Sequence, residues 1–305
     1  MNRPLVSVIL PVFNRAQCVG RAIESVLAQT YSNVELIIVD DGSTDGTAGV
    51  LERYRGAATI LRQDNGGAYV ARNLGLRHAK GELVAFVDSD DAWLPDKLEL
   101  QVPLMRGVVG LVFGNTRIVT ATDDAARPNG KSGFSIVRPN RGWVQRRFVQ
   151  GNFVPTCTAL VRRSALEEIG GFSEASRISA DYLAWFRIAE RHQFDFVEAP
   201  VALYTVHAGG ISYDLGRSLA ARIALFRAER DRTEVGETRR ILDRLLFNLG
   251  LQLALAVVRG RAKAVDNPLR LARSTATNMD SKRAIWSIAA FATHQLRTRA
   301  ARLLS

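Results

Sequence analysis

Cysteine is scarce. The 305 residues hold two, Cys18 and Cys157, and neither belongs to a CxxC motif or a His/Cys cluster, which excludes a disulfide framework and a zinc centre and points to a reducing compartment. Long apolar runs are missing too: Leu249–Val258 and Ala284–Ala292 reach only about half of the ~20 residues that span a bilayer, which argues against an integral membrane protein. The opening MNRPLVSVILPVFN stops at a polar turn and lacks a small-residue cleavage site, so it reads as a first strand and not as a signal peptide. Glycine-rich phosphate loops of the GxGxxG or GxxxxGKS/T type are absent from every strand–turn–helix context, which disfavours a Rossmann dehydrogenase and a P-loop enzyme.

What remains is a chain that can build a core, with 47% hydrophobic and 23% charged residues. Its charge is unevenly placed. Residues 1–215 hold 23 Lys+Arg against 23 Asp+Glu, whereas residues 216–305 hold 18 against 7, so the tail supplies the whole net charge of +11. A basic segment of this kind faces nucleic acid, an anionic membrane or an acidic partner.

Continuous apolar strands alternate with helices over the first hundred residues. Leu5–Leu10 precedes an amphipathic stretch at Ala16–Gln29 with Val19, Ile23, Val26 and Leu27 on one face, and Val34–Val39 precedes a helix at Thr47–Arg55. Thr59–Gln63 is followed by a helix at Gly67–Ala79, and Leu83–Val87 runs directly into Asp88-Ser89-Asp90-Asp91. The pattern predicts a doubly wound α/β fold with a parallel sheet covered on both faces. Ligands of such sheets bind beyond the carboxyl ends of the strands, so Pro11–Arg15, Asp40–Asp45 and Asp88–Asp91 are expected on one rim. Further on, a strand is expected at Val109–Phe113, a Gly/Pro/Asp-rich loop from Thr120 to Gly142, and helices near Ser164–Ile169 and Asp181–Arg191. From Arg217 the chain reads as helical.

Asp88-Ser89-Asp90 at a strand end is the strongest chemical feature. Two carboxylates one residue apart offer hard oxygen ligands to Mg2+ or Mn2+, and a diphosphate would complete the shell. Asp40-Asp41-Gly42-Ser43 would accept hydrogen bonds from a base or ribose, although the same residues also terminate a strand and cap the next helix.

These segments together resemble one family. VSVILPVFNR at 6–15, IIVDDGSTD at 37–45, Asn65-Gly66-Gly67 with Ala71-Arg72-Asn73, and FVDSDD at 86–91 with Pro95-Asp96 are similar to the family 2 glycosyltransferases. Gly170-Gly171-Phe172, Ala180-Asp181 with Trp185-Phe186-Arg187, and Tyr204 with His207 extend the likeness over roughly residues 4–212. The resemblance implies a GT-A fold with a Rossmann-like, mostly parallel sheet, a nucleotide-sugar donor (commonly UDP-linked), Mn2+ or Mg2+, and inversion at the anomeric carbon. By position, Pro11, Phe13, Asp41 and Arg72 would line the nucleoside site, with Asp88 at the ribose or metal and Asp90 the principal metal ligand. His207 is a candidate for the metal or diphosphate. Asp181 matches the catalytic base, although Ser179-Ala180-Asp181 also reads as a helix start, and Ala180 stands where the family often has an acid. Trp93 would either wall the acceptor site or pack in the core. Arg162 and Arg163 would bring charge near Gly151–Thr158 or start a solvated helix.

The implied organisation is a catalytic domain at 1–215, with a donor half at 1–108 and an acceptor half at 109–215, followed by a basic helical region at 216–305. That region would pack on the catalytic domain or lie on an anionic membrane at its cytoplasmic face, bringing the enzyme to a saccharide or lipid-linked acceptor. Nucleic acid is not an expected partner, since aromatic residues are sparse there. Two other classes compete. A sugar-phosphate nucleotidyltransferase would need a Gly-rich basic loop after the first strand, and Pro11–Arg15 has no glycine. A non-catalytic nucleotide-binding or membrane-associated protein would bind donor without turnover.

Overall fold

A computed structural model describes residues 3–120, 132–136, 138–206 and 215–258. The chain divides into two compact units, residues 1–207 and 208–305.

In the first unit the elements follow one another as β1 (Val6–Val12), α1 (Val19–Leu27), β2 (Val34–Asp40), α2 (Thr47–Leu51), β3 (Thr59–Arg62), α3 (Ala68–His78), β4 (Leu83–Phe86), β5 (Ala92–Trp93), α4 (Lys97–Gln101), β6 (Val109–Thr120), α5 (Gly133–Ile136), β7 (Leu160–Arg162), α6 (Arg163–Glu168), α7 (Ala180–Arg191) and β8 (Gln193–Val206). The strands form one sheet in the order β3-β2-β1-β4-β7-β6-β8-β5. Every residue of β1 is buried, as expected of a strand with neighbours on both sides and helices above and below.

The parallel sheet expected from the sequence is present in β3-β2-β1-β4. There β1 pairs with β2 from Val6↔Val34 to Val12↔Asp40 and with β4 from Val6↔Leu83 to Ile9↔Phe86. The three loops that follow β1, β2 and β4 therefore leave one edge. Beyond β4 the sheet is mixed: β7 runs antiparallel to both β4 and β6, and β8 is parallel to β6. Pro11 is tolerated in β1 because it lies past the last pair with β4, where its missing N–H breaks no ladder bond.

The strand expected at Val109–Phe113 is longer and runs to Thr120. A register shift at Gly114/Asn115 conceals it, because the apolar run stops there while the backbone stays extended. Asn115 closes the irregularity, donating from Nδ2 to the Glu198 carbonyl at 3.1 Å and accepting the Thr116 N–H at 2.9 Å. Of the Thr120–Gly142 loop, most lies outside the described residues.

Trp93 packs in the core with Val8, Leu10, Ile23, Ile38 and Leu98 and donates from Nε1 to the Cys157 carbonyl at 2.8 Å. It therefore does not wall an acceptor site. Arg162 and Arg163 also serve the fold: Arg162 donates to the Val109 carbonyl at 2.8 Å and Arg163 to that of Gly81 at 2.9 Å.

The second unit contains α8 (Leu215–Arg232) and α9 (Glu237–Val258), a hairpin joined by a four-residue turn at 233–236. Leu219, Ile223 and Phe226 of α8 and Ile241, Leu245 and Leu249 of α9 are buried, at the three- and four-residue spacing of a helix's apolar face. Arg230 ties the two helices by donating from Nε to Asp243 Oδ1 at 2.9 Å. Among the described residues no helix is long and apolar enough to cross a membrane.

Lys97 is fully buried beside Trp93. Its Nζ sits 4.1 Å from the indole centroid and donates to Gln101 Oε1 at 2.7 Å. Neither partner carries a charge, and burial lowers the ammonium's pKa to about 7. The unfolded value is 10.5, so between those pH values the unfolded chain holds the extra proton, and stability rises with pH through that window and is lowest below it. Replacing the lysine by the uncharged Lys97→Met removes this dependence. Urea unfolding at about pH 7 and about pH 10 should show the wild-type stability, taken relative to the variant, increasing by about 1–4 kcal/mol toward the alkaline end.

Candidate active site

The β1 and β2 exits are clipped together by polar side chains. Asn14, in the left-handed region at φ 52°, accepts the Thr44 N–H on Oδ1 at 2.8 Å and donates its own N–H to Ser43 Oγ at 3.0 Å. Arg15 N–H donates to Thr47 Oγ1 at 2.8 Å. Asparagine is among the few side chains that adopt this conformation at low cost. Phe13 projects from the same turn with 41% of its surface exposed, while Pro11 is buried behind it.

Asp40 and Asp41 have different tasks. Asp40 accepts the Ser43 N–H at 2.8 Å and pairs with Arg62 at 2.8 Å. Asp41 is 3% exposed and turns toward the Asn65–Gly67 loop, where Oδ1 accepts from Gln63 Nε2 at 2.7 Å and the Gly66 N–H at 2.8 Å, and Oδ2 accepts the Gly67 N–H at 2.8 Å. A carboxylate offers about four acceptor positions, so one is left for a ligand. Gly67 sits at φ 97°, a conformation that leaves its N–H aimed at Asp41 and that a side chain would strain.

At the β4 exit, Asp88 accepts a short hydrogen bond from Arg72, whose side chain is 6% exposed. Burial raises the Asp88 carboxyl above its ordinary value, and the adjacent guanidinium opposes that rise. The Nε of Arg72 is buried without a hydrogen-bond partner among the described residues. Asp90 faces Arg15, 3.8 Å away, and its backbone carbonyl accepts from Arg21 at 2.6 Å. Asp91 is buried and accepts the Thr205 N–H at 2.8 Å, which fastens the end of β8 to this loop. Burial, followed by the charge of Asp88, pushes its carboxyl well up.

Asp181 stands in the first turn of α7. The preceding Ser179 adopts φ 61° and offers no side-chain cap. The Asp181 carboxylate instead reaches outward from its own helix. Oδ1 accepts from the Tyr69 hydroxyl at 2.8 Å, and Oδ2 accepts from Asn152 Nδ2 at 3.2 Å and Thr156 Oγ1 at 3.0 Å. Ala180 beside it is fully buried, so a charged side chain there would have to be desolvated. Burial, and next the charge of Asp181, push the Tyr69 phenol well up.

Arg72, Asp90 and Asp181 thus all lie close enough to Asp88 for their charges to act on it. His207 lies outside the described residues. Tyr69, Asn152 and Thr156 escape a sequence reading because they meet Asp181 from 112, 29 and 25 residues away. One signal did exist: Tyr69 precedes Arg72 by three residues, which places both on one helix face.

The family model for glycosyl transferase family 2 matches residues 7–170, just over half of the chain. The chain belongs to this family. An uncharacterised glycosyltransferase of Rickettsia felis is 31% identical over 209 residues, which take in 64% of this chain and 33% of that protein. The Escherichia coli protein WfgD, named a UDP-Glc:α-D-GlcNAc-diphosphoundecaprenol β-1,3-glucosyltransferase, is 40% identical over 122 residues, 39% of this chain and 48% of its own. The match therefore spans between a third and a half of these two relatives. A mannosyltransferase of Pyrobaculum calidifontis, solved with GDP-mannose and Mn2+, superposes with a TM-score of 0.63 at 22% identity, covering 96% of this chain and 81% of the other. This family 2 member has the GT-A type of α/β fold.

The family implies a divalent cation. Among the described residues no group of three or more His, Cys, Asp or Glu side chains is arranged to hold one. The donor chemistry nonetheless fits, because Mg2+ and Mn2+ are commonly held by one or two carboxylates with substrate phosphates filling the shell. Asp88 and Asp90 are two half-buried carboxylates on one loop, and the unpartnered Arg72 Nε beside them is a donor suited to a ligand oxygen.

The Asp41 network has a thermodynamic consequence. Asp41→Ala leaves two backbone N–H groups and the Gln63 amide without acceptors in a half-buried turn, and each such loss costs about 1–3 kcal/mol before water recovers part of it. A net destabilisation of about 2–3 kcal/mol in urea unfolding is expected, with Asp41→Asn, which retains one acceptor oxygen, losing less.

Proposed function

We propose that the chain is an inverting glycosyltransferase, moving a sugar from a UDP-linked donor to a hydroxyl of a saccharide or lipid-linked acceptor with Asp181 as general base. The observation that carries this reading is the α3 face: Tyr69 holds Asp181 and Arg72, one turn on, holds Asp88. In this reading the base and a carboxylate at the ribose or metal share one site.

In this reading residues 1–108 form the donor half and 109–215 the acceptor half. Pro11 and Phe13 at the β1 exit, Asp41 with its one open acceptor position and Arg72 line the nucleoside. Arg72 Nε would donate to a ribose or phosphate oxygen. Asp90, with Asp88, would hold Mn2+ or Mg2+, which when bound supplies Lewis-acid neutralisation of the departing diphosphate. Asp181 takes the acceptor proton as that oxygen attacks the face of the anomeric carbon opposite the leaving group. WfgD's name supports a UDP-sugar and a lipid-linked acceptor, and the mannosyltransferase's ligands support the cation. His207 remains a candidate for the metal or diphosphate.

The basic region at 216–305 would hold the enzyme at an anionic membrane surface from the cytoplasmic side. Its excess of 18 Lys+Arg over 7 Asp+Glu motivates this. The full chain should float with phosphatidylglycerol vesicles at low salt and not with phosphatidylcholine, and equal recovery with both would count against it.

The enzymatic assignment separates two substitutions. Thermal shift with UDP and Mn2+ should register binding in the wild type. Asp90→Ala should lose the Mn2+-dependent part of that shift. Asp181→Asn should keep it while kcat falls by about 10²–10⁴-fold. A Mn2+-dependent shift unchanged in Asp90→Ala would sink the metal assignment, and unchanged turnover in Asp181→Asn would sink the base.

A further inference from the structure

We propose that Tyr69, with Thr156 and Asn152, positions the Asp181 carboxylate so that Oδ1 is the oxygen that takes the acceptor's proton; this rests on the reading of Asp181 as the base.

The grip is two-sided. Thr156 Oγ1 at 3.0 Å and Asn152 Nδ2 at 3.2 Å both donate to Oδ2, while among the described residues Tyr69 alone donates to Oδ1, at 2.8 Å. Each carboxylate oxygen has two acceptor positions. Oδ2 is therefore filled, and the open position belongs to Oδ1. All three donors are neutral, so they fix the direction of the carboxylate without cancelling its charge. An arginine in the same place would leave an ion pair, as Arg72 does at Asp88.

Tyr69 is itself held rigidly. Its ring lies 5.8 Å from that of Phe172, and the Arg72 guanidinium lies 5.1 Å from its centroid. Phe172 is fixed in turn by Asn73, which accepts its N–H at 2.9 Å and donates to its carbonyl at 2.8 Å. A supporting shell of this kind keeps a reacting group in its productive geometry. Burial raises the Tyr69 phenol well above its ordinary value, so the hydroxyl stays a donor at any working pH.

The acceptor's O–H bond breaks and its proton passes to Asp181 Oδ1, while the oxygen's electron pair forms the bond to the anomeric carbon. The bond from that carbon to the diphosphate breaks, and its pair leaves on the diphosphate. Tyr69 exchanges no proton in this step; its hydroxyl acts through Asp181, by donating to Oδ1, and it is a positioning residue.

Tyr69→Phe removes the hydroxyl and retains the ring contacts. With UDP-glucose as probe and UDP release as readout, kcat should fall by about 10-fold while KM for the donor stays within about 2-fold. In the Asp181→Asn background the same change should add nothing, since residues that act through one another are non-additive. Thr156→Val, on the other oxygen, should behave alike and serves if Tyr69→Phe folds poorly. Unchanged kcat in both variants, or losses that multiply with that of Asp181→Asn, would overturn the proposal and leave the base assignment standing. Unchanged turnover in Asp181→Asn would remove the base and the proposal with it. A second arm needs no substrate: in protein labelled at tyrosine 13Cζ, the Tyr69 resonance should move on Asp181→Asn and stay in place on Lys97→Met. A Tyr69 signal indifferent to Asp181→Asn overturns the proposal by itself.

Discussion

A buried guanidinium cannot shed its proton, so wherever Arg72 goes a counter-charge must follow. Its side chain is 6% exposed, and in that setting the loss of hydration is repaid only by a close anion. Asp88 at the end of β4 provides it. The pair fixes the rotation of α3 over the sheet, and the neighbouring side chains of that helix inherit their directions. Tyr69 lands on Asp181, and Asn73 lands on the turn at Gly171-Phe172. Gly171 is required there by the approach itself, since a Cβ would come within 2.7 Å of Asn73 Oδ1. This stretch of helix thus connects the β4 exit, the Gly171-Phe172 turn and the start of α7.

The carboxylates near this helix differ in what surrounds them, and their chemistry follows. Asp88 is neutralised by an arginine. Asp41 gives three acceptor positions to the Gly66 and Gly67 N–H groups and the Gln63 amide and serves as the keystone of the Asn65–Gly67 turn. Asp91 is buried and pushed toward its neutral form, and it fastens β8. Of these four, Asp181 alone combines a half-exposed position with neutral donors on both oxygens among the described residues. The proton-acceptor role proposed for Asp181 needs an open lone pair on a carboxylate whose hydrogen-bond donors are uncharged, and this setting offers both.

The parts of the sequence that were legible are those where one local signal decides the structure. The continuous apolar runs of β1, β2 and β4 and the helix between each pair left little choice about the parallel half of the sheet. Asp88–Asp91 at a strand end could be placed on the rim from this alone. The mixed half was harder. Gly114-Asn115 interrupts the apolar pattern of β6 although the strand continues, and β7 is only three residues long. Trp93 was ambiguous because an indole suits a sugar face and a core equally, and its neighbours Lys97 and Gln101 look like surface residues until both are found buried. The donors to Asp181 carry no motif. Their meeting is a property of the fold, and only the three-residue spacing of Tyr69 and Arg72 hinted at it.

The change from parallel to antiparallel pairing is what closes the site. Strand β1 lies between β2 and β4, so the order reverses at the crevice beside β1, where ligands of open α/β sheets bind. Arg15 from the β1 exit and Asp90 from the β4 exit meet across it at 3.8 Å. Had β7 been parallel to β4, the residues preceding it would have emerged at the far edge of the sheet. Because β7 is antiparallel, with Leu83 opposite Arg162 and Ala85 opposite Leu160, its beginning lies at the end of β4. Asn152 and Thr156, in the segment leading into β7, are thereby delivered to the edge that carries Asp88, and Asp181 can be held by both halves of the domain at once.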